Sequence, residues 1–310
     1  MDGKIDLLAI GEAMAELNRR PGSDSFALGF GGDTSNALAA AARSGARCAY
    51  VSAVGADTFG RALKDLWSRE GIDHADVRVD PARPTGVYFV DHGPDGHEFS
   101  YLRAGSAASA LGPGDLPMAR VKAAKAVHLS GISQAISASA ADLGFAAIDA
   151  AKAAGALVSY DPNLRLKLWP LARARAIIHE AMRSADVALP GLDDARALAG
   201  LEDPDAIADF YLRLGSRVVA LTLGAAGALV ATPDRRLRIP APKVAAVDAT
   251  GAGDTFDGAF LAEYLAGADA FAAGRFAVQA AALSTTGYGA IAPMPPRART
   301  LAAMAEAANG

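Results

Sequence analysis

The stretch Asp248-Ala249-Thr250-Gly251-Ala252-Gly253-Asp254-Thr255-Phe256, followed by an apolar, small-residue run, is the most informative feature of this chain. Gly251 and Gly253 let the backbone turn sharply, and the predicted helix start directs unpaired N–H groups, including that of Ala252, forward. Such donors suit phosphate oxygens. The helix dipole favours an ionised Asp254, which could accept a proton from a hydroxyl. The stretch predicts phosphoryl transfer to an alcohol, although Gly-rich turns with an Asp cap also begin ordinary helices.

A second glycine-rich stretch, Gly31-Gly32-Asp33-Thr34-Ser35-Asn36-Ala37-Leu38-Ala39, lies near the N-terminus. Two adjacent glycines would let a sugar approach the backbone closely. Asp33 and Asn36 offer an acceptor and a mixed donor-acceptor for its hydroxyls. The alternative is a glycine turn in which Asp33 or Thr34 caps a helix. We therefore take Gly32, Asp33 and Asn36 as candidate substrate-binding residues.

The two stretches together resemble the two signatures of the PfkB (ribokinase-like) family of carbohydrate kinases, each at the expected end of the chain. The resemblance covers nearly the whole sequence. It implies an α/β, ribokinase-like three-layer fold with a mostly parallel central sheet and a small β-sheet lid. It also implies ATP as the phosphoryl donor, Mg²⁺ bridging the phosphates, and room for a monovalent cation such as K⁺ near Asp248.

Composition limits the function classes. With 310 residues and 52% hydrophobic content the chain can bury a sizeable core, and we expect a single kinase domain over residues 1–310. A net charge of −4 and a pI near 5.7 give no basic field, so nucleic acid and membrane surfaces are not expected partners. Cys48 is the single cysteine, which fits a reducing cytoplasm, and no signal peptide or membrane span is evident.

Short apolar runs alternate with alanine-rich helical stretches, as is typical of strand-helix-strand units around a parallel sheet. The predicted central strands are Leu7–Ile10, Cys48–Val51, Ala126–Leu129, Leu157–Tyr160, Val187–Leu189 and Val218–Leu221. The predicted helices are Thr34–Arg43, Phe59–Glu70, Ala138–Ala154, Leu171–Ser184, Ala206–Leu214, Gly253–Ala266 and Asp269–Thr285.

Two excursions, at about 12–30 and 76–103, break this rhythm because their polar and apolar residues alternate with a period of two. The second predicts a hairpin of Thr85–Asp91 and Glu98–Arg103. In similar kinases such excursions build the lid over the active site. The exposed edges of a lid sheet could also be covered by a second subunit, so a homo-oligomer is expected.

The lid carries candidate substrate residues. Tyr88, Tyr101 and Arg103 share one face if the alternation holds, and a guanidinium can bind a carboxylate with two charge-assisted hydrogen bonds. Ordinary packing and a solvent-exposed arginine are the alternative. The loop Asp161-Pro162-Asn163-Leu164-Arg165 follows a predicted parallel strand, where ligands gather in open sheets. This loop adds two candidate site residues. Arg165 could bind an anion, and Asn163 would lie beside the nucleotide and its metal.

Within the family, the resemblance narrows to the branch that phosphorylates the 6-hydroxyl of 2-keto-3-deoxygluconate. It is carried by Gly32-Asp33-Thr34, Tyr101-Leu102-Arg103 with Gly105-Ser106-Ala107-Ala108, Asp161–Arg165 and Gly287-Tyr288-Gly289-Ala290, together with Glu16 where many sugar kinases have Asp. Fructokinases typically show Ala-Pro after the glycine pair and are the main alternative, followed by other sugar kinases of the family and a catalytically silent sugar-binding regulator. The branch implies Arg103 and Arg165 at the carboxylate and keto end of the substrate, with Tyr88 and Tyr101 shaping its pocket.

The resemblance also implies a nucleotide site in the C-terminal half. It implies Thr222, Gly224 and Gly227 near phosphate and ribose, and Gln279, Ala282 and Leu283 along the adenine. The family's Asn-x-x-Glu magnesium signature is missing from Leu189-Pro190-Gly191-Leu192-Asp193-Asp194, where Asp194 could substitute. No metal ligand is therefore assigned.

Overall fold

The structure is a computed structural model that describes residues 4–19, 22–93 and 96–309. Its strands are β1 (Ile5–Ile10), β2 (Met14–Arg19), β3 (Phe26–Gly31), β4 (Cys48–Gly55), β5 (Val77–Asp80), β6 (Gly86–Gly93), β7 (Gly96–Leu102), β8 (Ala124–Ser130), β9 (Leu157–Asp161), β10 (Val187–Ala188), β11 (Val218–Thr222), β12 (Ala228–Ala231) and β13 (Arg236–Ile239).

The helices are α1 (Asp33–Arg43), α2 (Thr58–Arg69), α3 (Met118–Ala123), α4 (Gly131–Ala135), α5 (Ala138–Ala154), α6 (Leu171–Met182), α7 (Leu192–Ala199), α8 (Pro204–Leu214), α9 (Ala252–Leu265), α10 (Ala270–Ser284) and α11 (Arg297–Asn309). Side-chain caps define several starts: Asp57 begins α2, Ser137 begins α5 and Asp269 begins α10. Among the described helices, none combines the length and apolar character needed to cross a lipid bilayer.

The described strands form two sheets. The large sheet has the order β13-β12-β11-β10-β9-β8-β1-β4-β5 and is parallel from β11 to β5, with β12 and β13 antiparallel at one edge. The small sheet has the order β3-β2-β6-β7 and forms the lid. Its Gly86–Gly93 and Gly96–Leu102 strands pair as an antiparallel hairpin. The expected α/β three-layer fold with a mostly parallel sheet and a small lid is confirmed.

Helices cover both faces of the large sheet because its central strands are apolar on both sides. In β1, Leu7 and Leu8 point to opposite faces and belong to two separate cores. The Leu7 core holds Leu38 of α1 and Phe256 of α9, whereas the Leu8 core holds Leu143 of α5. The two signature stretches therefore lie on helices of the same layer.

The predicted lid boundaries need one correction. Val77–Asp80 falls in the second predicted excursion, yet it pairs in parallel with β4 and forms the edge of the large sheet. Four residues that alternate between apolar and polar are too short a pattern to say which sheet a strand joins, since pairing is decided by the chain packed beside it. The antiparallel pair β12 and β13 was also missing from the predicted strands.

Candidate active site

A cleft of about 1080 Å³ lies between the lid and the carboxyl ends of the parallel strands. Both signature stretches reach it, together with the lid and the loop that follows β9. The predicted site residues that line it are Gly32, Asp33, Asn36, Tyr88, Tyr101, Arg103, Asn163, Arg165, Thr222, Gly251, Gly253 and Asp254. Ligand sites of open parallel sheets are expected at this edge.

Close packing of α1 against α9 brings the two signatures together. A Cβ added at Gly258 would lie 2.0 Å from the carbonyl oxygen of Ala37, so only glycine allows this approach. Asn36 then reaches the first turn of α9, where its Nδ2 donates a 2.7 Å hydrogen bond to Asp254 Oδ2. Asn36 therefore contacts the predicted base as well as lining the cleft.

The start of α9 has free backbone donors, but fewer than predicted. Gly251 has φ +74° and precedes the helix, and no side chain caps it. The N–H of Ala252 donates to the carbonyl of Ala249 at 3.1 Å, so the expectation that it faces the phosphoryl group is wrong. Within the described part of the chain, the amides of Gly253 and Asp254 have no hydrogen-bond partner and are open to an anion.

The protonation of Asp254 also differs from the sequence expectation. Burial, followed by repulsion from the Asp33 carboxylate, raises the pKa of Asp254 to about 7, while the hydrogen bond from Asn36 opposes that rise. The helix start alone was expected to keep this group ionised. A carboxyl group with a pKa near neutrality is suited to accept a proton at physiological pH.

Asp257 is a cleft residue that the sequence analysis missed. It lies one helical turn after Asp254, so both carboxyls share a face of α9. Asp257 and Asp161 are both buried and hydrogen-bond to one another. Burial raises the pKa of each carboxyl well above the usual range, and Asp254 and Asp33 raise it further. Such a pair shares a proton, because two adjacent buried carboxylates repel strongly.

The loop after β9 is held in an uncommon conformation. Among the described residues, Asn163 is the one residue other than glycine with a positive φ, at +28°. Its N–H donates to Asp161 Oδ1 at 3.0 Å, and its Nδ2 lies 3.4 Å from Asp33 Oδ2. This loop therefore links the β9 end to the first signature. Backbone of this kind often occurs at functional sites.

Arg103 lies in the cleft wall and is largely buried, with its side chain 10% exposed. It forms an ion pair with Glu12, and its Cζ lies 5.9 Å from the centre of the Tyr101 ring. Its Nε has no hydrogen-bond partner among the described residues. A buried guanidinium with an unpaired N–H in the wall of a cleft is a candidate group for binding an anion.

Glu12 was not recognised in the sequence. It follows β1 by two positions and lies at the same sheet edge as Asp161, which is the signal that could have found it. Its side chain is 1% exposed and accepts a hydrogen bond from Ser106 Oγ. The cleft wall therefore carries an ion pair, not an isolated cation.

The predicted tyrosine face of the lid is present. Tyr88 and Tyr101 are cross-strand neighbours whose rings stack with centroids 6.0 Å apart. The Tyr88 hydroxyl donates to buried Glu16 Oε2. Burial raises the pKa of Glu16, whereas the Tyr88 and Asn18 hydrogen bonds lower it. Glu16 thus fixes the position of Tyr88 on the lid.

Arg165 differs from Arg103 in its surroundings. Its side chain is 47% exposed, and its Nη1 lies 3.8 Å from Asp194 Oδ2. Asp194 Oδ2 also accepts the N–H of Leu164 at 2.9 Å, and Asp194 lines the cleft. Asp194 therefore lies in the cleft wall beside Arg165, and its substitution for the missing Glu of the magnesium signature stays a prediction.

The predicted nucleotide residues are only partly brought to this cleft. Thr222 lines it at the end of β11, whereas Gly224 and Gly227 lie in the following turn outside its lining. The proposed adenine residues, Gln279, Ala282 and Leu283, lie on α10 and are likewise outside the lining. Their assignment to the nucleotide stays a prediction.

No side-chain cage for a metal is present among the described residues, since no group of three or more His, Cys, Asp or Glu side chains could hold an ion. Magnesium nevertheless needs few protein ligands, because it keeps several waters and binds substrate phosphates through oxygen. The cleft carboxylates are ligands of the right chemistry. Nearby, Asp248 is buried and accepts the N–H groups of Thr250 and Gly289, each at 2.9 Å.

A mostly parallel α/β sheet, a lid, and a carboxyl group beside free helix amides define a sugar kinase of the ribokinase-like class. The model of the pfkB family carbohydrate kinases matches residues 4–297. The chain belongs to this family and is an ATP-dependent carbohydrate kinase.

Similar curated proteins fall into two groups. The 2-dehydro-3-deoxygluconokinase of Thermoproteus tenax is 38% identical, with 91% of this chain and 89% of that protein covered. The 2-dehydro-3-deoxygluconokinase of Bacillus subtilis is 33% identical over 82% and 81%. Fructokinase-2 of Solanum habrochaites is also 33% identical, over 87% and 85%. These similarities therefore show the family of the chain more firmly than the identity of its sugar substrate.

Solved structures with the same fold contain kinase ligands. A fructokinase from Xylella fastidiosa with bound ATP has a TM-score of 0.90 at 26% identity and covers 98% of this chain and 99% of its own. A fructokinase from Vibrio cholerae with fructose, ADP and calcium has a TM-score of 0.86 at 29% identity, covering 97% and 99%. These similarities support a nucleotide and a cation in this family.

Proposed function

We propose that this kinase transfers the γ-phosphoryl group of ATP to the 6-hydroxyl of 2-keto-3-deoxygluconate, with Asp254 as the general base. The observation that carries the proposal is the buried Arg103 guanidinium, with an unused Nε–H, in the same cleft as Asp254. A neutral sugar offers no group that needs a buried cation, whereas a sugar acid carries a carboxylate that pairs with one. Similarity to two 2-dehydro-3-deoxygluconokinases supports the same substrate.

In this mechanism the substrate lies between the lid and the sheet with its carboxylate toward Arg103 and Arg165. Its far end then reaches Asp254, which accepts the proton of the 6-hydroxyl as that oxygen attacks phosphorus in line. The amides of Gly253 and Asp254 donate to the transferring phosphoryl oxygens. The Asn36 amide holds the Asp254 carboxylate in position through its 2.7 Å hydrogen bond.

Magnesium, when bound with ATP, would neutralise charge on the phosphates. We assign it no direct protein ligand; Asp194, which lines the cleft, would hydrogen-bond to its water shell. A monovalent cation beside the buried carboxylate of Asp248 would belong to the same proposal. Closure of the lid would exclude water and limit ATP hydrolysis in the absence of sugar.

The proposal includes a cytoplasmic location and a homo-oligomer. The single cysteine, Cys48, is buried and free, as suits a reducing compartment. The lid sheet exposes apolar side chains at Phe26, Leu28 and Leu102, and β3 and β7 are its edge strands. Apolar residues on open edges are typical of surfaces that a second subunit covers.

A fructokinase is the alternative, favoured by the similarity to the Solanum enzyme. A coupled ATP-consumption assay with 2-keto-3-deoxygluconate, its C4 epimer, fructose, ribose and adenosine separates the alternatives. We expect the highest kcat/KM with one of the keto-deoxy acids, and Arg103→Ala should narrow the preference for acid over fructose. A wild-type preference for fructose would overturn the substrate assignment.

A further inference from the structure

The ion pair between Glu12 and Arg103 is anchored from more than one side. Glu12 Oε1 accepts a hydrogen bond from the Ser106 hydroxyl, and Glu12 Oε2 contacts Arg103 Nη2. Gly86 closes the other side, where an added Cβ would lie 2.9 Å from Glu12 Oε1. The Glu12 carboxylate is therefore held in one place, beyond reach of water.

A short turn ties the two partners of this carboxylate to each other. Ser106 N–H donates to the carbonyl of Arg103 at 3.1 Å, and Gly105 between them has φ +72°. This turn fixes the distance between the Ser106 hydroxyl and the start of the Arg103 side chain. Both groups then meet Glu12 at once, which leaves the guanidinium little freedom.

The guanidinium has competing acidic groups nearby. Asp33, Asp161, Asp254 and Asp257 all line the same cleft, and the charge of Arg103 already lowers the pKa of Asp33 against the larger raising effect of burial. An arginine on a flexible stem would otherwise move toward these carboxyls. Such a movement would take the guanidinium away from the position at the cleft wall that it holds beside Glu12.

We propose that Glu12, anchored by Ser106, is a positioning residue that keeps the Arg103 guanidinium at the cleft wall, where it binds the carboxylate of the sugar-acid substrate. The inference rests on the proposed function, in which Arg103 recognises that carboxylate. It assigns to Glu12 a role in selecting the acid over neutral sugars. Replacing a partner of Arg103 should therefore weaken acid binding even though no contact to the substrate is removed.

Isothermal titration of wild type, Glu12→Gln, Arg103→Ala and the double variant tests this. Each is titrated with 2-keto-3-deoxygluconate and, as a control, with a non-hydrolysable ATP analogue. Glu12→Gln keeps the shape of the side chain and removes its negative charge. We expect the Kd of the variant for 2-keto-3-deoxygluconate to rise about tenfold or more, with the Kd for the ATP analogue little changed. The double variant should bind the acid no more weakly than Arg103→Ala, since both changes remove one interaction.

Losses that add in the double variant would overturn the positioning role while leaving the proposed function intact. If Arg103→Ala binds the acid as tightly as wild type, the carboxylate contact itself fails, and the inference fails with it. Ser106→Ala keeps the charges of Glu12 and Arg103 and removes the hydrogen bond that anchors Glu12. It therefore replaces Glu12→Gln as the test variant if Glu12→Gln does not fold. It should weaken acid binding in the same direction by a smaller factor, and unchanged binding in Ser106→Ala would contradict the anchor.

Discussion

Asn36 Nδ2 donates a 2.7 Å hydrogen bond to Asp254 Oδ2, joining residues that are 218 positions apart in the sequence. One residue comes from the glycine-pair signature and the other from the C-terminal signature. The hydrogen bond lowers the pKa of Asp254, whereas burial and Asp33 raise it. The helix of the glycine-pair signature thereby influences the protonation of the proposed base.

Asn36→Ala should move the acidic limb of the pH profile to higher pH. Loss of the Nδ2 donor removes an interaction that favours the ionised form of Asp254, so its pKa should rise above about 7. A hydrogen bond to a charged group is worth about 1.5–3 kcal/mol, which corresponds to a shift of about one pH unit or more. The kcat/KM for the sugar is measured from pH 5.5 to 9.

The matched control for this prediction is Ser35→Ala. Ser35 lies on the same helix, but its Oγ accepts a hydrogen bond from Trp67 Nε1 in the core. Its substitution should leave the acidic limb in place. An Asn36→Ala profile that overlays the wild-type profile would show that Asn36 does not tune Asp254.

Asp254→Asn should stabilise the folded protein at alkaline pH. The folded-state pKa of Asp254, about 7, lies above its ordinary value of 3.8, so the folded protein binds the proton more tightly than the unfolded chain does. Stability contributed by this group is therefore lost as pH rises from about 4 through 7. The asparagine has no such dependence, so its melting-temperature advantage should grow between pH 5 and 7 and level off above 7. An equal difference at pH 5 and pH 8 would contradict the raised pKa.

Gly251 and Gly253, the two glycines of the C-terminal signature, should differ in how substitution by alanine affects stability. Gly251 has φ +74°, and an added Cβ would lie 2.9 Å from the carbonyl oxygen of Ala290. Gly251→Ala should therefore lower stability by about 1–2 kcal/mol from the backbone conformation alone, as well as activity. Gly253 has no atom within 4 Å of an added Cβ, so Gly253→Ala should melt like wild type.

Gly253→Ala nevertheless places a methyl group in the open space before the helix, where we expect the phosphoryl group. It should raise the KM for ATP or lower kcat without unfolding the protein. Thermal melts and steady-state kinetics of the two variants separate the effects. Full activity in Gly253→Ala would remove this space from the phosphate site.

Arg165→Ala should weaken acid binding less than Arg103→Ala does. Arg165 is 47% exposed, whereas Arg103 is 10% exposed, and solvent screening weakens an exposed charge contact. The KM for 2-keto-3-deoxygluconate, measured at low and high salt, checks this order. A larger loss in Arg165→Ala would place the carboxylate at the loop after β9.

Local signals predicted much of the fold. Helix α5 was predicted with both ends as observed, because Ser137 caps its start and Gly155, with φ +74°, ends it. Strands such as β4 and β8 were recognised from continuous apolar runs. The edge strand β5 was assigned to the lid, since the choice between two sheets depends on its neighbours in space.

The site was predicted where a motif carries the chemistry. Asp254, Asn36 and Arg103 were predicted in this way and line the cleft, whereas Glu12 and Asp257, which also line it, were missed, because each contacts a partner that only the fold brings close. The pKa of Asp254 could not be read from its helix position either. It depends on burial and on Asp33, which is distant in sequence.

The central claim is that Asp254 accepts the proton of the substrate hydroxyl during phosphoryl transfer. Single-turnover phosphorylation of 2-keto-3-deoxygluconate by Asp254→Asn, at a pH above 8 where the wild-type carboxyl is ionised, tests it most directly. We predict a rate about 10²–10⁴-fold below wild type, with the affinity for ATP largely retained. A rate close to that of wild type would contradict the account.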